Sequence, residues 1–343
     1  MSSITRISCQ TVPRHLKEPF RTSLRSVSSF DVIEFQIETD DGLRATGETV
    51  ETPAITGDSQ AMIIDGLLGS IKSALEGASF TSPLEIAQLV ANTTAVASAK
   101  AAADMALYFL EAQMENKTFP ELLDCTRAAV ATDVTIPIVE GNEIGDLVFS
   151  RLKEGFSAFK VKLGREPIEV SIQKLKLMDR LIGCDGVIRI DPNQAWTVAH
   201  TLSFLDEVDK AGISVDYLEQ PTPADDKSAL AEIKRNTKIP IMADESCYDM
   251  EDLFELVEIE AVDLINLKLL KSGGITPIIK MADYAQQAGI GIRLGSMMEG
   301  DVGVFAAACV AGTLVPEETH DLDASWWARD SGISYEAGTV SLW

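Results

Sequence analysis

Five short apolar runs, each ending on a charged residue, fill the middle of the chain. They are Ala158-Phe159-Lys160-Val161-Lys162, Val187-Ile188-Arg189-Ile190-Asp191, Val215-Asp216-Tyr217-Leu218-Glu219, Ile239-Pro240-Ile241-Met242-Ala243-Asp244 and Leu264-Ile265-Asn266-Leu267-Lys268. Their last residues fall at 162, 191, 219, 244 and 268, in steps of 24 to 29 residues. A strand, a helix and two connections use that much chain, so each step reads as one βαβ unit with its charged residue at the same end of the strand. From about 132 onward the same period puts strand candidates near 136, 160, 189, 217, 242, 266, 292 and 320. Amphipathic helical segments lie between them, among them 168–182, 199–211 and 227–236. Eight strands alternating with helices predict an α/β fold of the (β/α)8, TIM-barrel type. An open doubly wound sheet is the alternative, but no glycine-rich dinucleotide fingerprint follows the first strand.

The first 125 residues follow another pattern. Residues 4–12 and 30–39 are strand candidates, the second alternating apolar and polar side chains as a strand with one wet face does. Asp40-Asp41-Gly42 is a hairpin turn into a third strand, 43–50. A polar loop over 19–26 carries Arg21 and Arg25, and a second loop spans 52–59. Helices are expected after Ser59, Ser82-Pro83 and Thr118, where side-chain oxygens and first-turn prolines suit helix starts. Residues 97–116 form an alanine-rich helical stretch. The expected organisation is an α+β domain over 1–125 and a barrel over 126–323. A tail over 324–343, with two short strands, goes back to the N-terminal domain.

The formal net charge of −24 repels nucleic acid and anionic membranes, so neither is an expected partner. Five cysteines are scattered without CxxC pairing and read as reduced thiols of a cytoplasmic protein. His15, His200 and His320 do not pair at zinc-ligand spacing. No targeting segment is expected at the N-terminus, and no apolar run reaches the about 18 residues a membrane span needs.

In a parallel barrel the C-terminal strand ends form one rim, so Asp191, Glu219 and Asp244 should converge. Three carboxylates that close cannot all stay ionised without a cation. Hard oxygen donors with no His or Cys select Mg²⁺, with Mn²⁺ the second choice. Acids at strand ends also cap helices or join salt bridges, a reading that weakens when three occur on consecutive strands. Lys160 and Lys162 are two apart on a strand and share a face. Lys268 ends the strand on the other side of the ring, so two lysines can approach opposite faces of one bound carbon. Metal charge and a neighbouring ammonium both lower a lysine's pKa, as a general base requires. The plainer alternative is that these lysines only balance the carboxylates. Gly273-Gly274 and Gly295-Ser296-Met297 are weaker signals for close-approach loops after strands six and seven.

Five motifs together resemble the muconate-lactonizing subgroup of the enolase superfamily. They are Lys160-Val161-Lys162, Asp191-Pro192-Asn193-Gln194, Glu219-Gln220-Pro221, Ala243-Asp244-Glu245-Ser246 and Lys268-Leu269-Leu270-Lys271-Ser272-Gly273-Gly274. Within the subgroup the chain is most similar to dipeptide epimerases of the L-Ala-D/L-Glu type, over nearly its whole length. The resemblance implies a capping domain over the barrel and Mg²⁺ on Asp191, Glu219 and Asp244, with Asn193 and Glu245 in support. Asp321-Leu322-Asp323 resembles the group's Asp-x-Asp on the eighth strand, which grips the dipeptide's α-ammonium; two carboxylates facing one ammonium make a charge-assisted clamp. Arg25 matches an arginine of the mobile capping loop that meets the glutamate side chain, and 52–59 resembles the second specificity loop. Thr135, Ser296 and Lys160 fall at substrate-side positions. Trp326-Trp327, just after the aspartate pair, departs from the family pattern.

The expected activity is Mg-dependent epimerisation of a dipeptide at the α-carbon of its second residue, by 1,1-proton transfer through an enediolate. One of Lys162 and Lys268 removes the proton and the other returns it on the opposite face, with Lys160 supporting Lys162. Arg25 favours Glu or Asp as second residue, which would suit murein-peptide recycling, and family habit implies a homo-oligomer. The rivals on the same site are an N-acylamino-acid racemase, an o-succinylbenzoate synthase and a muconate-type cycloisomerase. Their substrates carry no free ammonium for Asp321 and Asp323. A non-catalytic binding barrel would not need a base on each face.

Overall fold

The computed structural model describes residues 1–23, 25–139, 141 and 143–342. Seven barrel strands form one parallel sheet in chain order: Val134–Ile136, Ala158–Lys162, Val187–Asp191, Leu218–Glu219, Ile241–Ala243, Leu264–Lys268 and Gly291–Gly295. The eighth, Thr319–His320, bridges the two edges. Asp321 N–H donates to Leu294 O (2.9 Å) and Ser296 N–H to Asp321 O (2.9 Å) on one side, and Asp133 N–H donates to His320 O (2.9 Å) on the other. The His320 ring adds a tie: its Nδ1 accepts the Leu294 N–H at 3.2 Å, and Nε2 lies 3.2 Å from Val315 O. Burial pushes the His320 pKa down to about 3, so the ring stays neutral with its proton on Nε2.

Helices fill the outside of the barrel at the expected places, among them Ile168–Ile182, Val198–Ala211 and Lys227–Arg235. The eighth strand is followed by one helical turn, Ala324–Trp327, and not by a full helix. Beyond it the tail runs extended against the N-terminal domain, where Ala328 bridges Leu16 and Arg329 N–H donates to His15 O (2.9 Å). Its two strands, Tyr335–Glu336 and Thr339–Ser341, then pair with each other, and the second pairs with Ala129–Thr132 at the start of the barrel.

The N-terminal domain is a four-stranded sheet of Ser2–Arg21, Ser26–Thr39, Arg44–Val50 and Ser79–Phe80, packed on helices. The first two strands are longer than the sequence pattern implies. Past a register shift they resume at Phe20 opposite Val27 and Arg21 opposite Ser26, so the expected loop over 19–26 shrinks to the hairpin's tip. The expected turn forms at Gly42 (φ 88°), whose N–H donates to Thr39 O. Ser59 caps Gln60–Gly66, accepting the Met62 N–H, and Thr118 and Glu121 make a capping box for Phe119–Leu122. The alanine-rich helix Ala97–Met114 lies so close to the third strand that a Cβ on Gly47 would fall 1.9 Å from Ala102 O.

Buried carboxyl groups stitch the two domains together at helix N-termini, where unpaired N–H groups need acceptors. Asp104 of the long cap helix accepts from Thr276 N–H (3.0 Å) and Thr276 Oγ1 (2.6 Å) at the start of Ile275–Gln287. The Gly273-Gly274 pair makes room for this: Gly274 sits at φ 123°, and a Cβ there would fall 2.5 Å from Asp104 Oδ2. Glu48 of the third strand accepts the Gly303 N–H (2.9 Å) of Asp301–Leu314, and Glu299, beside it, accepts the Met297 N–H (2.7 Å). A small apolar cluster of Val32, Val50, Ala101, Leu270 and Met297 fills the same seam. No described helix is long and apolar enough to cross a membrane.

Two stability effects follow. Gly47→Ala forces strand and helix apart and is expected to lower stability by about 1–3 kcal/mol, read by denaturant unfolding. Burial, first among the causes, pushes Glu48 up to about 7 and Glu299 up to about 8. A carboxyl whose folded pKa exceeds its unfolded value stabilises the fold in acid, and that contribution is lost as pH rises through the folded pKa. Glu299→Gln is therefore expected to match the wild type near pH 5 and to exceed it by about 1–3 kcal/mol near pH 9.

Candidate active site

The inward face of the barrel strands carries the charged residues by simple alternation. Lys160 and Lys162 point into the barrel while Phe159 and Val161 face the helices, and on the sixth strand Asn266 and Lys268 share the inner face. Lys160 is fully buried. Its Nζ lies 2.6 Å from Glu219 Oε2, 2.8 Å from Asp321 Oδ2 and 3.3 Å from Asp191 Oδ2. Burial alone would lower its pKa, but these three carboxylates hold it well above the ordinary lysine value. Lys162 reaches Asp191 Oδ2 (2.5 Å) from above. Lys268 reaches Asp244 Oδ2 (2.7 Å), which outweighs burial and raises its pKa too.

The remaining expected residues gather around this centre. Asn193 donates its backbone N–H to Asp191 Oδ1 (2.8 Å) and its amide to Asp191 Oδ2 (3.3 Å) and Glu245 Oε1 (3.5 Å). Asp323 Oδ2 accepts the Thr135 N–H (2.7 Å), and Ser296 Oγ donates to Asp321 O (3.3 Å). Arg25, Thr135, Lys162, Asn193, Asp244, Lys268, Ser296, Asp321 and Asp323 all line one cavity of about 60 Å³ at the C-terminal end of the barrel. Lys160, Asp191, Glu219 and Glu245 lie buried beneath it.

Cap segments roof the cavity with Phe20, Thr22, Arg25 and Ile55, and Met297 and Met298 close the side. Neutral hydrogen bonds latch the roof to the barrel. Ser23 Oγ donates to Pro192 O (2.9 Å) and lies 3.1 Å from Asn193 O, Ile138 N–H donates to Arg21 O (3.0 Å), and Tyr248 Oη donates to Ile55 O (2.5 Å).

Three polar residues carry no assigned role in the sequence motifs that contain them. Lys271 is buried and donates to Asp244 Oδ1 (2.7 Å), Asp244 O (2.5 Å) and Asn266 O (2.9 Å). Asn266 donates to Glu219 Oε1 (3.0 Å) and Asp321 Oδ2 (3.2 Å). Gln220 Oε1 accepts the N–H groups of Asp244 and Ser246, both at 3.0 Å. Asn266 was signalled by its place two before Lys268 on an alternating strand; Lys271 and Gln220 lie beyond strand ends, where periodicity carries no direction.

The donor chemistry suits a hard divalent cation. Six buried carboxyl groups (Asp191, Glu219, Asp244, Glu245, Asp321 and Asp323) face four lysines, and every donor is oxygen. Asn193 Oδ1 and Glu245 Oε2 are buried without a hydrogen-bond partner among the described residues. Burial, first among the causes, pushes Glu219 up to about 7 and Glu245 up to about 8, so each favours its protonated form until a positive charge is placed beside it. Among the described residues no three His, Cys, Asp or Glu side chains are placed to hold a metal ion as they stand. Lysine ammonium groups occupy that role: Lys160 lies among Asp191, Glu219 and Asp321, while Lys268 and Lys271 hold Asp244.

Comparison with known proteins gives the family. Residues 4–124 match the mandelate racemase / muconate lactonizing enzyme N-terminal domain, and residues 143–341 match the enolase C-terminal domain-like family. The L-Ala-D/L-Glu epimerase of Bacillus subtilis is 32% identical over 99% of this chain and 94% of its own length. Its substrate-liganded structure superposes with a TM-score of 0.94 at 32% identity, covering 99% of this chain and 96% of that one. The dipeptide epimerase of Enterococcus faecalis, complexed with Mg and L-Leu-L-Tyr, gives a TM-score of 0.90 at 30% identity, covering 99% and 97%. The N-succinyl-L-Arg/Lys racemase of Bacillus cereus is 31% identical over 90% of this chain and 84% of its own. The chain therefore belongs to the enolase superfamily, as an isomerase-type member of its mandelate racemase / muconate lactonizing enzyme group.

Proposed function

We propose that the protein epimerises a dipeptide at the α-carbon of its second residue, with L-Ala-D/L-Glu the preferred substrate. One observation carries this reading: a single cavity holds Lys162 and Lys268 together with the Asp321–Asp323 pair and Arg25. The pair of carboxylates suits the dipeptide's ammonium, and Arg25 suits an acidic side chain. An N-acylamino acid with a neutral side chain offers those aspartates no cation, which disfavours the general N-acylamino-acid racemase reading. Similar proteins named as dipeptide epimerases, one complexed with Mg and a dipeptide, lend further support.

Asp191, Glu219 and Asp244 would hold Mg²⁺, with Mn²⁺ the nearest substitute, and Asn193 and Glu245 would orient them. Mg²⁺, when bound, supplies charge that lowers the pKa of the neighbouring lysines and stabilises negative charge developing on the substrate carboxylate. The lysines do the proton work. Lys162 takes or returns the α-proton on one face and Lys268 on the other, and the two exchange roles with the direction of reaction. Lys160, locked among three carboxylates, keeps its proton and acts as a fixed positive charge beneath the enediolate. The roof of Phe20, Arg25 and Ile55 excludes water while the carbon is deprotonated.

With L-Ala-L-Glu in D₂O, the wild type is expected to epimerise and to incorporate deuterium at the glutamate α-carbon. Lys162→Ala and Lys268→Ala should each lose epimerisation by about 10²–10⁴-fold. Each should still exchange the α-proton of only one of the two diastereomers, as mass spectrometry and NMR would read; exchange of both diastereomers in both variants would overturn the two-base assignment. Chelation with EDTA is expected to abolish turnover and added Mg²⁺ to restore it, with Mn²⁺ restoring part.

A further inference from the structure

The Trp326-Trp327 pair sits between the capping loop and the Asp321–Asp323 pair. Trp327 lies one helical turn after Asp323, its N–H donating to Asp323 O (3.3 Å), so the two side chains share a helix face. Its indole Nε1–H donates to Asp323 Oδ2 at 2.9 Å. The Thr135 N–H reaches the same oxygen at 2.7 Å, and the two donors fix the plane of the carboxyl group. Trp327 is fully buried, so that N–H has no water to replace Asp323.

The other side of the indole meets the cap. Phe20, which lines the cavity, packs edge-on against Trp327 at 5.0 Å and 80°. Trp326 continues the contact, its ring edge-on to Trp327 at 5.1 Å. Lys17 lies 4.6 Å over the Trp326 ring and donates to Trp326 O. Arg151 stacks 4.4 Å from the same ring and pairs with Glu18. Lys17, Glu18 and Phe20 belong to the end of the strand Ser2–Arg21 that runs directly into the loop bearing Arg25. The tryptophans thus join the root of the capping loop to the carboxylate that faces the substrate.

We propose that Trp327 is a positioning residue for Asp323, and that through Phe20 and Trp326 it couples the grip on the substrate's ammonium to the seating of the capping loop. The proposal rests on the reading of Asp323 as part of an ammonium clamp. An asparagine, a phenylalanine or a missing donor at these places alters the grip without touching the lysines or the metal-site oxygens.

The test compares wild type, Asp323→Asn and Trp327→Phe, each with Mg²⁺, on L-Ala-L-Glu, and measures inhibition by N-acetyl-L-Ala-L-Glu, which lacks the ammonium. Trp327→Phe keeps the ring and removes the N–H. It is expected to raise KM for L-Ala-L-Glu at least five-fold, to hold kcat within two-fold, and to leave the inhibition constant of the acetylated compound unchanged. An unchanged KM in Trp327→Phe alongside a raised one in Asp323→Asn would overturn the role of Trp327. Equal weakening of both compounds would reveal general damage and overturn it too. An unchanged KM in Asp323→Asn would overturn the clamp reading itself and the proposal with it. Should Trp327→Phe fail to fold, the wild type answers alone. With ¹⁵N-labelled tryptophan, the Trp327 indole resonance, assigned by replacing the other tryptophans in turn, is expected to shift with L-Ala-L-Glu and not with its acetylated form. Equal shifts with both, or none, would overturn the proposal.

Discussion

The Lys160 ammonium, in contact with Glu219, Asp321 and Asp191 at the floor of the cavity, sets the terms for everything above it. Burying an ion costs several kcal/mol unless a partner of opposite charge is fixed beside it. Here one cation serves three anions, which come from the ends of strands three and four and from the residue just after strand eight. The ring therefore cannot shift one of these strands without stranding a charge. The same arrangement keeps Lys160 protonated, while Lys162 holds Asp191 and Lys268 holds Asp244 with Asp321 4.0 Å away, and these two are the lysines proposed to trade protons. Lys271 repeats the logic from outside by gripping Asp244 at both a side-chain and a backbone oxygen.

The seam between cap and barrel uses the same chemistry in a milder form. Asp104 and Glu48 each reach across to the first turn of a barrel helix, and glycines at 274 and 300 leave the space they need. A Cβ at Gly300 would lie 2.5 Å from Glu48 Oε1. The cap is thus held by helix dipoles as well as by the few apolar residues between the domains.

Much of this was legible from position alone. A 24-to-29-residue beat located the strands, and alternation placed Lys160, Lys162 and Lys268 on the inner face. The motifs around Asp191, Glu219 and Asp244 then pointed to the cavity that Asp321, Asp323 and Arg25 share. What stayed hidden depends on contacts between residues far apart in the chain. The hairpin of the first two strands extends to Arg21, where Phe20 packs against Trp327, and no local pattern announces that partner. The single turn after the eighth strand ends where Ala328 meets Leu16. Lys271 follows a strand on a short helical turn, where only the fold decides which way a side chain points. The tryptophan pair looked anomalous in sequence and acquires a role only beside Asp323 and Phe20.

The roof over the cavity hangs on Ser23, Tyr248 and the Arg21 carbonyl, and every one of these latches is an uncharged hydrogen bond. Such bonds are worth about 0.5–1.5 kcal/mol each, so together they favour closure by on the order of ten- to a thousand-fold. That makes the roof a sprung doorway and not a sealed wall. On the proposed chemistry it would shield the deprotonated carbon from bulk water, yet release these three latches without separating charges, since none of the three is an ion pair. Strong bonds sit where the architecture must not move, and weak ones where traffic passes.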